Sequence, residues 1–299
     1  MIYLLLCIVC STLLIFAFKY FHRYNVSVSQ AIFFNYVTCT ILGAFVFGNS
    51  LSNILKAGLT APWVLIGMAC GFLFFVTFYL IAASARNAGV AATSVAQKVS
   101  LVIPVAASLL FWQKDPVSFL TVTGLFMAVT AVVLTSRKRK ADTIENEKKP
   151  GNVWAPLLPA FVFLNAGLVD SLINFANFRF LRPELEPAFT MVVFGTAALL
   201  GFAVQIYEGL INKKKIEIKS IVAGILLGIP NLLTLIFLLK ALTAFQHDGA
   251  FVYPINNMGV IILSTFGGIL LFGERLRKLN WLGLGLGILA LALLLADEF

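Results

Sequence analysis

Residues 220–242 read SIVAGILLGIPNLLTLIFLLKAL and contain a single charged side chain, Lys240. A transmembrane helix needs about 20 consecutive apolar residues, so this stretch predicts a helix that spans a membrane. Nine other apolar runs are bounded by turn or charge signals in the same way: 2–18, 30–47, 62–85, 90–112, 117–135, 153–175, 188–206, 250–272 and 279–296. The sequence therefore predicts an all-α polytopic membrane protein with ten transmembrane helices.

The composition excludes most other protein classes. Of the 299 residues, 60% are hydrophobic and 12% are charged, and the mean hydropathy is +0.96. Soluble domains carry about 25% charged residues, and disordered chains are poor in hydrophobic residues. The net charge of +9 falls in clusters between apolar runs, which is typical of membrane loops. We therefore predict the lipid bilayer, and no nucleic acid, as a partner.

A long polar stretch divides the chain into two similar halves. Residues 136–152 read as a solvated cytoplasmic linker, which leaves residues 1–135 and 153–299 with five predicted helices each. An offset of 159 positions pairs Phe78 with Phe237 and Gly124 with Gly283. Because five is odd, a second copy has to lie inverted relative to the first. Inverted repeats are the architecture of many secondary transporters.

Small residues mark a predicted helix contact. Gly124 and Ala128 in the fifth run, and Gly283 and Gly287 in the tenth, are spaced four residues apart. Such pairs let helix backbones approach closely in lipid. We expect these two helices to pack tightly, either within one chain or at the seam of a homodimer.

Basic residues predict the orientation. One set of loops carries sixteen Lys and Arg residues and the other carries five, and the richer side is normally cytoplasmic. Both termini are then outside the cell. The N-terminal run has no basic residue before it, so we read it as a retained helix and not as a cleaved signal peptide.

No pattern of a catalytic or metal site is present. The sequence lacks a Gly-x-Ser-x-Gly elbow, a P-loop and a His-Glu-x-x-His motif. The four cysteines fall inside apolar runs without histidine at ligand spacing, which favours buried hydrophobic side chains. We predict no enzymatic activity, no cofactor and no metal.

Two charged residues inside apolar runs are the main functional candidates. Lys98 lies near the middle of the fourth run and Asp170 in the outer half of the sixth. A charge at the bilayer centre costs about 2.5–3.5 kcal/mol on insertion scales, so such residues usually face a cavity or a partner. Lys98 suits an anionic group of a substrate. Asp170 suits a cavity wall and, as an open alternative, a proton-coupling site.

Further polar residues extend this candidate substrate site. Asn174 follows Asp170 by one helical turn and Asn177 by two, so the three fall on one helical face. Because Asn177 is close to the helix end, a position at the membrane interface is an alternative for it. The offset of 159 positions between the two halves pairs Lys98 with Asn257. The remaining substrate-binding candidates are polar or aromatic side chains within apolar runs: Asn35, Tyr79, Asn231 beside Pro230, and Asn256 after Pro254. The loop residues Arg179, Arg182, Glu184 and Glu186 are expected to form a solvated charge cluster. The pair His247-Asp248 is expected to lie in a loop.

The motif Gly273-Glu274-Arg275, followed by Trp281 and Gly283, resembles the loop between the last two helices of ten-helix EamA-type members of the drug/metabolite transporter superfamily. The first half departs from that pattern with Asp115. The resemblance covers nearly the whole chain and implies a permease of the bacterial inner membrane for a small metabolite or toxic organic compound, often moved with a proton.

We therefore predict a secondary transporter that moves a small polar or organic solute by alternating access. Three alternatives remain open at this stage: a flippase subunit for a lipid-linked carrier, a membrane-embedded enzyme, and a scaffold that transports nothing. A lateral opening to lipid would favour the flippase or the enzyme. Direct pairing of Lys98 with Asp170 in a closed core would favour the scaffold.

Overall fold

The computed structural model describes residues 1–24, 26–46, 49–87, 90–111, 118–135, 157–211, 213, 215–272 and 278–298. The described residues form twelve α-helices: α1 (Ile2–Arg23), α2 (Val28–Val46), α3 (Asn49–Ala57), α4 (Pro62–Asn87), α5 (Val90–Val99), α6 (Val102–Phe111), α7 (Phe119–Thr135), α8 (Leu158–Arg179), α9 (Glu186–Ile211), α10 (Ile218–Ala244), α11 (Gly249–Phe272) and α12 (Lys278–Glu298). The predicted linker 136–152, Asp115 and the Gly273–Arg275 motif lie outside the described residues.

Each predicted apolar run is helical where it is described, with two differences from the prediction. The fourth run is not one helix, because α5 ends at Val99 and α6 begins at Val102. Pro104 in the first turn of α6 has no N–H and cannot continue the hydrogen-bond ladder back across the break. The short helix α3, which no apolar run indicated, has its hydrophobic residues on one side.

Six described helices are long and apolar enough to span a membrane, within Val28–Phe45, Pro62–Ile81, Leu158–Arg179, Glu186–Ile211, Ile218–Ala244 and Gly249–Leu271. Four shorter apolar segments are Ile2–Ala17, Ala96–Phe111, Val122–Ala131 and Trp281–Ala290. The chain is therefore an all-α multi-pass membrane protein. The count of ten spans and the inverted repeat remain predictions.

The chain divides into two compact units, and each draws on both halves of the sequence. The first unit comprises Met1–Phe75 and Leu172–His247, and the second comprises Val76–Ser171 and Asp248–Phe299. The predicted domain boundaries at 135 and 153 remain a sequence prediction.

In the first unit, α10 packs against α1 and α2, and α2 packs against α9. Glycine explains the close approach of α10 to α2. A Cβ built on Gly224 would lie 2.5 Å from Cβ of Phe34, and one on Gly228 would lie 2.7 Å from Cβ of Thr38. These glycines are four residues apart, so they form a second small-xxx-small contact that the sequence analysis did not single out.

In the second unit, α7 and α12 form the most extensive contact between described helices. Ala131 of α7 and Ala290 of α12 are fully buried, and a Cβ on Gly287 would lie 3.6 Å from Cβ of Ala131. The predicted tight packing of these two helices is thus confirmed within one chain. Helix α11 packs against α6, α7 and α12.

Candidate functional site

Lys98 and Asp170 both belong to the second unit. Lys98 lies at the end of α5, directly before the break to α6, and Asp170 lies on α8. Both side chains are described, and they form no direct salt bridge with each other. Each side chain is partly buried. The pair is therefore neither sealed in direct contact nor fully solvated.

The helix break fixes the backbone around Lys98. The N–H of Leu101 bonds to the carbonyl of Lys98 at 3.4 Å, and the hydroxyl of Ser100 donates to the carbonyl of Gln97 at 2.6 Å. A broken membrane helix presents the ends of two short helices to its surroundings, and transporters use such ends to hold polar solutes.

The side chain of Ile103 in α6 reaches the same part of α8. It lies against Gly167, where a Cβ would overlap it. Ile103 follows the break by two residues, and Gly167 precedes Asp170 by three. The Tyr253 hydroxyl of α11 donates to the backbone carbonyl of Asp170 at 2.6 Å. Helices α6 and α11 therefore both hold α8 next to Asp170.

The predicted asparagines have different environments. Asn257 donates to the carbonyl of Tyr253 at 3.1 Å, whereas Oδ1 of Asn256 is buried without a hydrogen-bond partner. Asn174 is fully buried, and neither its Oδ1 nor its Nδ2 has a partner. Unpaired buried amide groups are expensive. A place for Asn174, Asn256 and Asn257 in the substrate site remains a prediction.

Asn35 and Asn231 contact each other in the first unit. Nδ2 of Asn231 donates to Oδ1 of Asn35 at 3.1 Å, which links α10 to α2. Their place in the substrate site remains a prediction. Tyr79 is 39% exposed on α4, with its ring edge-on to Phe78.

Glu186 was expected in a solvated charge cluster, and that expectation was wrong, because it is 1% exposed as the first residue of α9. Asn177 is fully buried, so its alternative interfacial position does not hold. His247 lies between α10 and α11 as expected, with its Nδ1 2.6 Å from Oδ1 of Asn177. Pro187 was the available signal, since proline favours the first turn of a helix and so places Glu186 at a helix start.

Burial shifts the pKa values of the two residues between α10 and α11 in opposite directions. Desolvation lowers the pKa of His247 below its ordinary 6.5. Desolvation raises the pKa of Asp248, although the N–H groups of Phe251 and Ala250 oppose that rise by donating to its carboxylate. Asp248 is thereby the N-cap of α11.

The described residues contain no cluster of three or more His, Cys, Asp or Glu side chains that could hold a metal ion. The polar groups at the helix break carry charge and hydrogen-bonding capacity, which suits reversible binding of a polar solute.

Known proteins resemble this chain over most of its length. An "Uncharacterized protein" of Haemophilus influenzae is 26% identical over 94% of this chain and 93% of its own. A "Putative sugar uptake protein" of Lactiplantibacillus plantarum is 24% identical over 79% of each chain. The "Putative sugar uptake protein YxfA" of Lactococcus lactis is 25% identical over 83% of this chain and 82% of its own.

A solved crystal structure shares the fold, with a TM-score of 0.63 and 18% identity over 99% of this chain and 97% of that chain. The family model described as "Sugar transport protein" matches residues 6–296. The narrower resemblance to EamA-type drug/metabolite transporters remains a prediction. Because the family match covers nearly the whole sequence, the chain belongs to the sugar transport protein family and is a membrane transporter.

Proposed function

We propose that the protein is a secondary transporter of the bacterial inner membrane that moves a sugar or a similar small polar solute by alternating access. The observation that carries this proposal is the pair Lys98 and Asp170, a partly buried amine on α5 and a partly buried carboxylate on α8 that lie in one compact unit and form no direct salt bridge. The family match and the names of the two sugar uptake proteins support sugar as the substrate class.

The chemistry of the pair suits a sugar. Hydroxyl groups donate to the carboxylate of Asp170 and accept from the ammonium of Lys98, so one hydroxylated solute can satisfy both groups. Asn256 offers an unpartnered carbonyl oxygen in the same unit. Charged groups in hydrocarbon are costly unless they are paired or hydrated, and a polar solute supplies the missing contacts during each cycle.

Direct uptake of labelled sugars by cells that overproduce the protein tests this assignment. Hydrogen bonds to charged groups contribute about 1.5–3 kcal/mol, so Lys98→Met or Asp170→Asn should lower uptake at limiting sugar by roughly 10- to 100-fold. Lys215→Met is the control, because Lys215 is exposed between α9 and α10. Membrane levels and thermal stability of every variant are measured in parallel.

Wild-type uptake rates in Lys98→Met and Asp170→Asn would remove these residues from the site. A wild-type protein that neither transports nor binds any sugar of a broad panel would refute sugar as the substrate class. Binding is followed as a rise in melting temperature, since a ligand that binds only the folded state stabilises it.

A further inference from the structure

A partly buried series of hydrogen bonds, called here the hydrogen-bonded chain, joins the ends of three helices in the first unit. Asn177 lies near the end of α8, Glu186 begins α9, and Thr243 lies near the end of α10, with His247 in the turn that follows. Asn177 is fully buried and Glu186 is 1% exposed. The transport site proposed above uses none of these residues.

All donors in this chain point toward the carboxylate. An amide oxygen only accepts hydrogen bonds, so Nδ1 of His247 donates to Oδ1 of Asn177 at 2.6 Å. Nδ2 of Asn177 donates to the Thr243 hydroxyl at 3.1 Å, and that hydroxyl donates to Oε1 of Glu186 at 2.8 Å. Bonds aligned in one direction polarise each other. These three bonds connect the ring of His247 to the carboxylate of Glu186.

The turn that holds His247 is conformationally unusual. Gln246 and His247 have φ angles of 52° and 67°. These angles lie in the left-handed region, which residues other than glycine seldom adopt. Such conformations persist where the surrounding structure holds them in place. Here the N–H of His247 bonds to the carbonyl of Leu242 at 2.7 Å, and its ring meets Phe178 edge-on.

The second carboxylate oxygen, Oε2 of Glu186, is buried and has no hydrogen-bond partner. Lys240 of α10 and Glu184 of the preceding loop act on this carboxylate through space, but the Lys240 ammonium lies 5.5 Å from the ring centre of Tyr3. Helix α2, which also packs on α9, carries no acidic or basic side chain. The basic residues Lys56, Arg179 and Arg182 of α3, α8 and the loop are exposed.

Binding of a proton suits the unpartnered Oε2 of Glu186 better than binding of a metal ion does. A cation needs several oxygen ligands, whereas the oxygens of Asn177 and Thr243 are already engaged in the chain. A proton needs no cavity, and it removes the cost of burying an unpaired anion.

We propose that Glu186 is a proton-binding site, with His247 as its coupled partner through Asn177 and Thr243. With Glu186 ionised, the chain of donors favours a proton on His247. With Glu186 protonated, His247 is favoured as the neutral ring. This goes beyond the proposed function, and it rests on that function only where the proton is linked to sugar movement.

The test compares the melting temperature of purified wild-type protein, Glu186→Gln and Glu184→Gln between about pH 5 and 8, where histidine ordinarily titrates. Glu184 is an exposed carboxylate two residues away and is the matched control. We expect Glu184→Gln to keep most of the wild-type pH dependence, because its carboxylate acts on Glu186 only through space, and Glu186→Gln to lose the larger part of it.

The pKa of His247 is lowered by burial, so the unfolded chain takes up its proton first as the pH falls. Its contribution to stability is therefore present above pH 6.5 and is lost as the pH falls through the folded value. His247→Gln should flatten the acidic arm of the profile only.

Thr243→Val keeps the carboxylate but removes its hydroxyl donor. It should move the midpoint of the pH profile upward, because the anion loses a stabilising hydrogen bond. This variant decides the question if Glu186→Gln does not fold. An unchanged profile in Glu186→Gln, or in Thr243→Val when Glu186→Gln is unfolded, overturns the proposal. A melting temperature that follows sodium concentration and not pH overturns it as well.

A transport measurement separates this proposal from the proposed function. If sugar is the substrate, Glu186→Gln should lose the dependence of uptake on external pH and keep sugar exchange across the membrane. A Glu186→Gln variant whose uptake follows pH as in wild type contradicts the link to transport. A wild-type protein without sugar uptake refutes the sugar assignment, while the pH profile of stability still decides the proton site.

Discussion

At the scale of single residues, the same residue type serves different purposes in this membrane protein. Asn231 and Asn35 satisfy each other, Asn177 connects two neighbours, and both amide atoms of Asn174 are buried without a partner. Sequence alone treats all four as polar groups in apolar helices. Their distinct roles depend on which side chain from a distant segment faces each one.

The Asn35–Asn231 contact leads to a stability prediction. Asn231→Ala leaves Oδ1 of Asn35 without its amide donor at a position where Asn35 is 3% exposed. Hydrogen bonds between membrane helices contribute about 0.6 kcal/mol on average and about 1.7 at most. We expect a loss of unfolding free energy in that range, measured by denaturation in detergent micelles.

Sugar binding in Asn231→Ala distinguishes a structural from a substrate-binding role. An affinity equal to that of wild type makes the contact purely structural. A loss of affinity tenfold or greater at unchanged stability would place Asn231 in the substrate site.

At the scale of elements, backbone contact decides which helices pair. Gly224 and Gly228 bring α10 against α2. The break between α5 and α6 also belongs to this scale. Pro104 prevents one continuous helix, so Lys98 lies beside the end of a short helix. Neither the break nor the α10–α2 contact followed from hydropathy, because both stretches are uniformly apolar.

Replacement of Gly224 tests the helix contact. In Gly224→Leu the new side chain meets Cβ of Phe34 and the carbonyl oxygen of Ala31, where a built Cβ already lies 2.5 and 2.6 Å away. Overpacking typically costs about 1–3 kcal/mol, and more where backbone has to move. We expect a clear fall in melting temperature and in the yield of folded protein.

Gly209→Leu is the matched control, because a Cβ at this position in α9 meets nothing within 4 Å. Its melting temperature should equal that of wild type. Equal stability of the two leucine variants would contradict the close packing of α10 on α2.

At the scale of the whole molecule, orientation in the membrane is open to direct measurement. The Lys/Arg bias predicts that the α8–α9 loop is outside and that the α9–α10 loop is cytoplasmic. In intact cells, Glu184→Cys should react with a membrane-impermeant thiol reagent and Lys215→Cys should not. The native cysteines 7, 10, 39 and 70 are buried, so their background is low. The reverse labelling pattern would invert the topology.

The sequence by itself determined the class of protein, the location of nearly all helices and the tight pairing of α7 with α12, because hydropathy and small-residue spacing are local properties. It also selected Lys98 and Asp170, because a charged residue within an apolar run is recognisable from the sequence and is costly in hydrocarbon. Only the tertiary structure decided that Glu186, Asn177, Thr243 and His247 form one hydrogen-bonded chain. Those four residues span 71 positions of the sequence, and only folding brings donors and acceptors so far apart into contact.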